Sequence, residues 1–183
     1  MALRAQQTIS QEGFVWKASV GHLLRISGED HYLDGEGAMK WKLWGWIPVV
    51  NGAGPNITRA ARCRFLAEAA VWLPSLLLPQ NGADWRRLDD KTAEAAVDIT
   101  GARFPLSFSI GPDGRLQKIV FSRWGNVGTS DGRWTEIPFG ATFSEESTFG
   151  GYALPTRLMA SWWFGTARQF DFFEAEITAV KFG

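Results

Sequence analysis

Phe104-Pro105-Leu106-Ser107-Phe108-Ser109-Ile110 runs into Gly111-Pro112-Asp113-Gly114 and then Arg115 to Arg123, and this stretch decides the fold class. Phe104, Leu106, Phe108 and Ile110 fall on one side of an extended chain, with Ser107 and Ser109 on the other, because successive strand residues point to opposite faces. Gly-Pro-Asp-Gly is turn chemistry: proline presets φ and glycine takes a positive one. The predicted product is an antiparallel hairpin.

The same alternation extends outward in both directions. Phe14, Trp16, Ala18 and Val20 oppose Val15, Lys17 and Ser19. His22 to Asp30 forms a further strand, Leu24 and Ile26 inward and Arg25 and Ser27 outward, closed by the turn Asp34-Gly35-Glu36-Gly37. Met39, Trp41 and Leu43 then alternate with Lys40 and Lys42, completing a three-strand meander. Further strands are expected at Ala93 to Ile99, Arg133 to Ile137, Ala141 to Thr148, Leu154 to Trp163 and Phe170 to Phe182. One segment has another period. Asn56 to about Leu78 is rich in Ala, Arg, Leu and Glu, with Pro55-Asn56 as a cap and Pro74 limiting the last turn, which predicts a helix. Ile57, Ala61, Leu66, Ala69, Trp72 and Leu73 form its apolar stripe, with Arg59, Arg62 and Arg64 around the rest. The expected fold is α+β, mainly β, over residues 1–183 as a single domain. One curled antiparallel sheet, a half-barrel or open barrel, carries one main α-helix packed on it.

Composition narrows the function classes. The 183 residues hold 19 Lys and Arg against 19 Asp and Glu, so no net basic field is available for a phosphate backbone, and nucleic acid is not an expected partner. Cys63 is the single cysteine, which excludes an internal disulfide, and His22 and His31 are too few for a three-histidine metal site. The longest apolar stretches, such as Val71 to Pro79, fall short of the roughly 20 residues that span a bilayer, and the N-terminus has no apolar signal core. A soluble, cytoplasmic chain is expected from this. Ten Trp and 13 Phe beside two Tyr exceed what one small core normally uses.

Catalytic constellations are sparse. Asp30-His31 with Asp34 and Glu36 lacks a third fixed ligand, since neighbours on a strand point apart, and reads as a solvated turn. Gly35-Glu36-Gly37 and Gly52-Ala53-Gly54 read as turns rather than phosphate cradles, Cys63 as a packed thiol and Glu145-Glu146 as an exposed loop. Arg64, Glu68 and Trp72 stand four apart on the helix as a ladder of guanidinium, carboxylate and indole. That ladder is a surface ion pair or a structural anchor holding the helix to the sheet. Trp41 shares a face with Met39 and Leu43, while Trp44 and Trp46 extend the Lys40 and Lys42 face, and Trp162-Trp163 repeats the arrangement. Two apolar faces need two partners: the helix for one, and for the other the far wall of the sheet, a ligand, a subunit or a membrane.

The run Arg64-Phe65-Leu66-Ala67-Glu68, followed by Trp72 and Pro74, resembles the characteristic motif of an uncharacterised family of bacterial proteins. Phe14-Val15-Trp16-Lys17-Ala18 resembles its opening strand, and Trp85 with Asp89 its post-helix segment. Asp113-Gly114 with Arg123 resembles its central hairpin, and Gly151, Pro155 and Trp162 its late strands. The resemblance implies no activity. Members of that family are generally longer at the N-terminus, often with an anchoring or export segment, which implies that cell-envelope association and membrane proximity follow if this chain is a trimmed version. The architecture is also loosely similar to lipoprotein-carrier half-barrels.

The expected function is therefore non-enzymatic binding of a lipid or other apolar small molecule in an aromatic-lined cavity. Trp41, Trp44, Trp46, Trp72, Phe108 and Trp162 are the expected ligand contacts, Arg64 and Glu68 the anchor, and no catalytic residue, metal or cofactor is assigned. Oligomeric state is left open. The rivals are a small hydrolase or isomerase with Glu68 or Asp89 raised in pKa as general base, a carbohydrate binder with coplanar indoles, and a structural module without ligand.

Overall fold

The computed structural model describes residues 3–21, 23–99 and 102–183. The chain divides into two compact units, Met1–Ala69 and Ala70–Gly183, and the division falls inside the main helix.

The first unit is a five-stranded antiparallel meander of β1 (Leu3–Ile9), β2 (Phe14–Val20), β3 (Ile26–Leu33), β4 (Glu36–Leu43) and β5 (Ile47–Gly52), in sequential order. Helix α1 (Pro55–Trp72) follows. Pro55 opens it, where a missing N–H is harmless. Register sorts the side chains: Phe14 faces Tyr32, Trp16 faces Asp30 and Gly28 faces Trp41 on one side of the sheet, while Lys17 faces Glu29 and Glu29 faces Lys40 on the other. The first side carries the helix. Tyr32 stacks on Phe65 with ring centroids 5.6 Å apart, and Phe14, Tyr32 and Phe65 are almost fully buried. Each such ring contributes about 1.5–3 kcal/mol of transfer free energy. At Gly37 the helix comes so close that an added Cβ would sit 2.7 Å from the Ala61 Cβ. The Gly37 N–H donates to the Thr58 hydroxyl at 3.1 Å.

The second unit holds the last turn of α1, two short 3-10 turns at Pro74–Leu77 and Pro79–Asn81, and a seven-stranded antiparallel sheet. Its strands are β6 (Asp84–Arg87), β7 (Thr92–Ile99), β8 (Ala102–Ile110), β9 (Leu116–Gly125), β10 (Thr135–Phe149), β11 (Tyr152–Trp162) and β12 (Phe170–Glu176), again in sequential order. One face carries an aromatic ladder across five strands: Phe104 to Phe121 at 5.5 Å, Phe121 to Phe139 at 5.2 Å, Phe139 to Trp162 at 5.0 Å and Trp162 to Phe172 at 6.1 Å. Cross-strand aromatic pairs stabilise a sheet beyond the area they bury.

The fold is mainly β and antiparallel with one main helix, as expected, and the predicted hairpin joins β8 to β9. The strands form two sheets rather than one, and neither closes into a barrel. Several boundaries differ. The helix ends at Trp72 rather than near Leu78, because Pro74 opens a 3-10 turn instead of ending a regular one. β3 starts at Ile26, so Leu24 lies in the preceding loop and is exposed rather than inward; His22 lies outside the described residues. The turn before β4 is Asp34-Gly35 alone, with Glu36 and Gly37 already paired. The two strands expected at Arg133 to Ile137 and Ala141 to Thr148 are one, β10, because Pro138, Phe139 and Gly140 between them pair with β9 without a register shift; its bulges come later, near Glu145. β12 stops at Glu176. Arg64 points to the sheet, not away from it. No described helix is long and apolar enough to cross a membrane.

Candidate functional site

The covered face of the first sheet holds a polar network. Arg64 donates through Nε to Glu68 at 2.8 Å and through Nη1 to Asp30 at 3.0 Å. Trp41 Nε1 donates to the other Asp30 oxygen at 2.9 Å, and Gln7 donates to Glu68. The Arg64 guanidinium lies 4.8 Å from the centre of the Phe14 ring and 5.0 Å from that of Trp16. Strand β1 therefore bonds to Glu68 and strand β3 to Arg64 of the helix, and β4 joins the network through Asp30. The arrangement satisfies each charge locally, leaving neither Glu68 nor Asp30 as an unengaged base.

Other acid-base candidates are separated in space. His31 lies on the opposite face from Asp30 and bonds Glu29 at 3.1 Å, and no group of metal-ligating side chains forms among the described residues. Asp89 does not have a raised pKa: the Lys91 backbone N–H bonded to its carboxylate, with Thr92 and Arg87 helping, holds it below the usual range. Such a carboxylate is a poor base. Cys63 is buried.

The six expected aromatic contacts do not share one unit. Trp41, Trp44 and Trp46 belong to the first and Trp72, Phe108 and Trp162 to the second. Trp41 is packed against Trp16 with centroids 5.6 Å apart. Phe108 and Trp162 are buried, and the half-buried Trp72 has an indole N–H with no hydrogen-bond partner among the described residues. Trp44 and Trp46 lie on the turn between β4 and β5 instead of on a strand face.

That turn sits at the most exposed apolar place in the first unit. Trp44 has φ 52 and Gly45 φ 82, and Trp46 N–H donates to Leu43 O at 3.3 Å. These are the signs of a type I′ hairpin turn, whose first position normally holds Asn, Asp or Gly. Asp34-Gly35, with φ 51 and 81, fills the equivalent turn between β3 and β4 conventionally. A bulky side chain in the left-handed region costs about 1–2 kcal/mol. Yet the Trp44 indole is half exposed, and so returns little of that through burial. It instead ties down the β2–β3 loop: its Nε1 donates to Leu23 O at 2.9 Å and its backbone N–H to Arg25 O at 2.7 Å. The end of the sheet so formed presents Leu23, 89% exposed, Leu24, 59%, Trp44, 50%, and Trp46, 71%.

Two shallow hollows differ in charge. One, about 470 Å³ on the second sheet, is lined by Asp84, Arg86, Glu94 and Arg103 among others, which neutralise each other as Arg86–Glu94 and Arg103–Asp84 ion pairs. The other, about 580 Å³, is the open face of the first sheet; Arg4, Lys17, Arg25, Lys40 and Lys42 line it with Glu29 as its only acid. Lys17 pairs with Glu29 at 3.5 Å, and among the described residues the other four cations form no ion pair. None of the six expected aromatic residues lines either hollow.

Sequence reasoning missed Leu23 and Leu24 as surface residues and Arg4 and Arg25 as neighbours of the lysines. The adjacent leucines carried a usable signal, because two consecutive residues of a strand cannot both face inward.

The sequence model of one family, described as a family of unknown function (DUF6920), matches residues 1–182. No curated protein and no solved structure matches the chain.

Proposed function

The chain belongs to this family of unknown function, so its role rests on its own geometry, from which we propose a non-enzymatic binding protein that takes the acyl part of a lipid or a similar apolar group. The observation that carries this is the exposed end of the first sheet, where Leu23, Leu24, Trp44 and Trp46 stand together on two hydrogen-bonded loops. Isolated exposed apolar residues are ordinary, whereas four large ones held side by side mark a contact surface. A left-handed backbone at Trp44 strengthens the point, because the strain at a half-exposed indole is offset within the fold by little more than its hydrogen bond to Leu23 O. Leucine beside tryptophan suits an acyl chain and its glycerol region better than a sugar, which stacks on coplanar rings without aliphatic neighbours.

The test is a fluorescence titration of the full chain with lysophosphatidylcholine and with fatty acids of increasing length. The reading requires a saturable blue shift that strengthens with chain length, as each further buried methylene contributes about 0.8 kcal/mol. A flat response across all lengths overturns it.

A further inference from the structure

We propose that the first unit docks on the surface of a bilayer containing anionic phospholipid, with the apolar end in the headgroup boundary and the open cationic sheet face against lipid phosphates. This rests on the acyl-binding reading for the apolar end and adds a partner and a charge requirement to it.

The two features are continuous. Leu3 pairs with Val20, and Ile26 pairs with both Val20 and Leu43, so the loop of Leu23 and Leu24 and the turn of Trp44 and Trp46 share one end of the sheet. Arg4, Arg25 and Lys42 lie within two residues of that end, and Lys17 and Lys40 are one same-face step deeper, about 7 Å along the strands. Every cation is thus within about a Debye length of a surface that the leucines and indoles touch. A zero net charge for the whole chain conceals this: five cations face one carboxylate here, while the second unit's hollow is internally neutralised.

The charge pattern selects the partner. A neutral protein patch or a zwitterionic membrane leaves four unpaired cations without counterparts, whereas phosphate and carboxylate headgroups supply them at every position. Trp and Leu at a polar–apolar boundary with basic residues beside them are the side chains that an interface favours. Nucleic acid would use the cations but has no use for exposed leucines, since bases stack on rings.

The experiment is sedimentation of the full chain with equimolar phosphatidylcholine–phosphatidylglycerol vesicles, and separately with phosphatidylcholine vesicles, at low and high salt. Binding should be strong on the mixed vesicles, weak on the neutral ones and reduced by salt. Lys40→Gln with Lys42→Gln should weaken mixed-vesicle binding about 30-fold, at roughly five-fold per cation near an anionic surface. Leu23→Ser with Leu24→Ser should weaken it as well, while Lys118→Gln in the second unit should leave it unchanged. Saturable lysophosphatidylcholine binding without any mixed-vesicle binding overturns the docking and leaves acyl binding standing. Vesicle binding that the leucine variant leaves intact overturns the acyl reading and this proposal's use of it. Displacement from vesicles by a short RNA duplex, lost in the same lysine variant while RNA binding itself keeps the leucine variant's full affinity, assigns the face to nucleic acid and overturns the membrane.

Discussion

The Arg64 guanidinium on α1 lies 3.0 Å from the Asp30 carboxylate on β3, joining the helix to the middle of the first sheet. Both side chains are largely shielded, at 17% and 13% exposure, and Glu68 completes the group from one helical turn further on. Arg64→Ala strands two carboxylates at once and should cost about 3 kcal/mol in denaturant unfolding. Glu68→Ala leaves the arginine paired with Asp30, so its cost should be smaller, about 1 kcal/mol. This revises what spacing alone implies, namely that Glu68 is the sole partner of Arg64. Replacing Arg64 and Glu68 together by Met and Leu should not restore stability, because Asp30 stays unpaired; adding Asp30→Asn should. A loss under about 0.5 kcal/mol for Arg64→Ala marks the group as an ordinary surface pair.

Gly37 sets the distance between β4 and α1. Its φ is ordinary, so the restriction is space alone: a Cβ there meets Ala61 Cβ at 2.7 Å and Thr58 Cα at 2.8 Å, and neither is a flexible side-chain tip. Gly37→Ala should destabilise by about 1–3 kcal/mol, as overpacking does. Unchanged thermal unfolding would show that the helix shifts freely on this strand.

Trp44 trades stability for exposure. Trp44→Asn puts a residue suited to a positive φ in the turn and should recover about 1 kcal/mol of strain, against an exposed hydrogen bond to Leu23 O of similar or smaller worth. The expected result is an unfolding midpoint equal to or above that of the parent, with weakened lysophosphatidylcholine binding. A clear fall in midpoint contradicts it.

Asp171 gives a pH prediction. The buried Ser161 hydroxyl donates to it at 2.6 Å and Gln169 adds a second bond, so its pKa is lowered from the ordinary 3.8. A depressed folded value means a contribution present above the unfolded pKa and lost as pH falls through the folded one. Carboxyl NMR titration should therefore place Asp171 below an ordinary aspartate, and Ser161→Ala should move it back up. An unshifted value in Ser161→Ala would assign the effect to Gln169 instead.

Much of the strand pattern was legible because it rests on burial of alternate residues. Phe14 to Val20 and Phe104 to Phe108 pair as their period demands, whereas a register shift at Ser109 and Ile110 buries the serine and exposes the isoleucine. β1 and β5 were not legible: Leu-Arg-Ala-Gln-Gln-Thr-Ile offers little apolar contrast, and Pro48 sits within Ile47–Gly52, tolerated because β5 is an edge strand with an irregular register. The division into two sheets was hidden too, since alternation fixes faces but not which strands share a ladder. Of the site, the Lys40 and Lys42 face and the indoles were visible. Their companions Arg4 and Arg25 come from other parts of the chain and join them only through register. The spacing of Arg64 and Glu68 was readable on the helix, whereas Asp30 as a third member needed the sheet.

The most direct test of acyl contact at the Leu23–Trp46 end is emission quenching by lysophosphatidylcholine brominated on its acyl chain, read in the parent chain and in Trp44→Phe with Trp46→Phe. Bromine quenches only indoles that it touches, and of the three exposed ones, Trp44, Trp46 and Trp85, the first two are the expected contacts, while Trp41 and Trp162 are packed within their sheets. Saturable quenching is expected in the parent and is largely lost in the double variant, whose conservative rings preserve binding. Equal fractional quenching in both proteins would contradict this, placing the acyl chain against other indoles, Trp85 or the interior ones, instead of at the Leu23–Trp46 end.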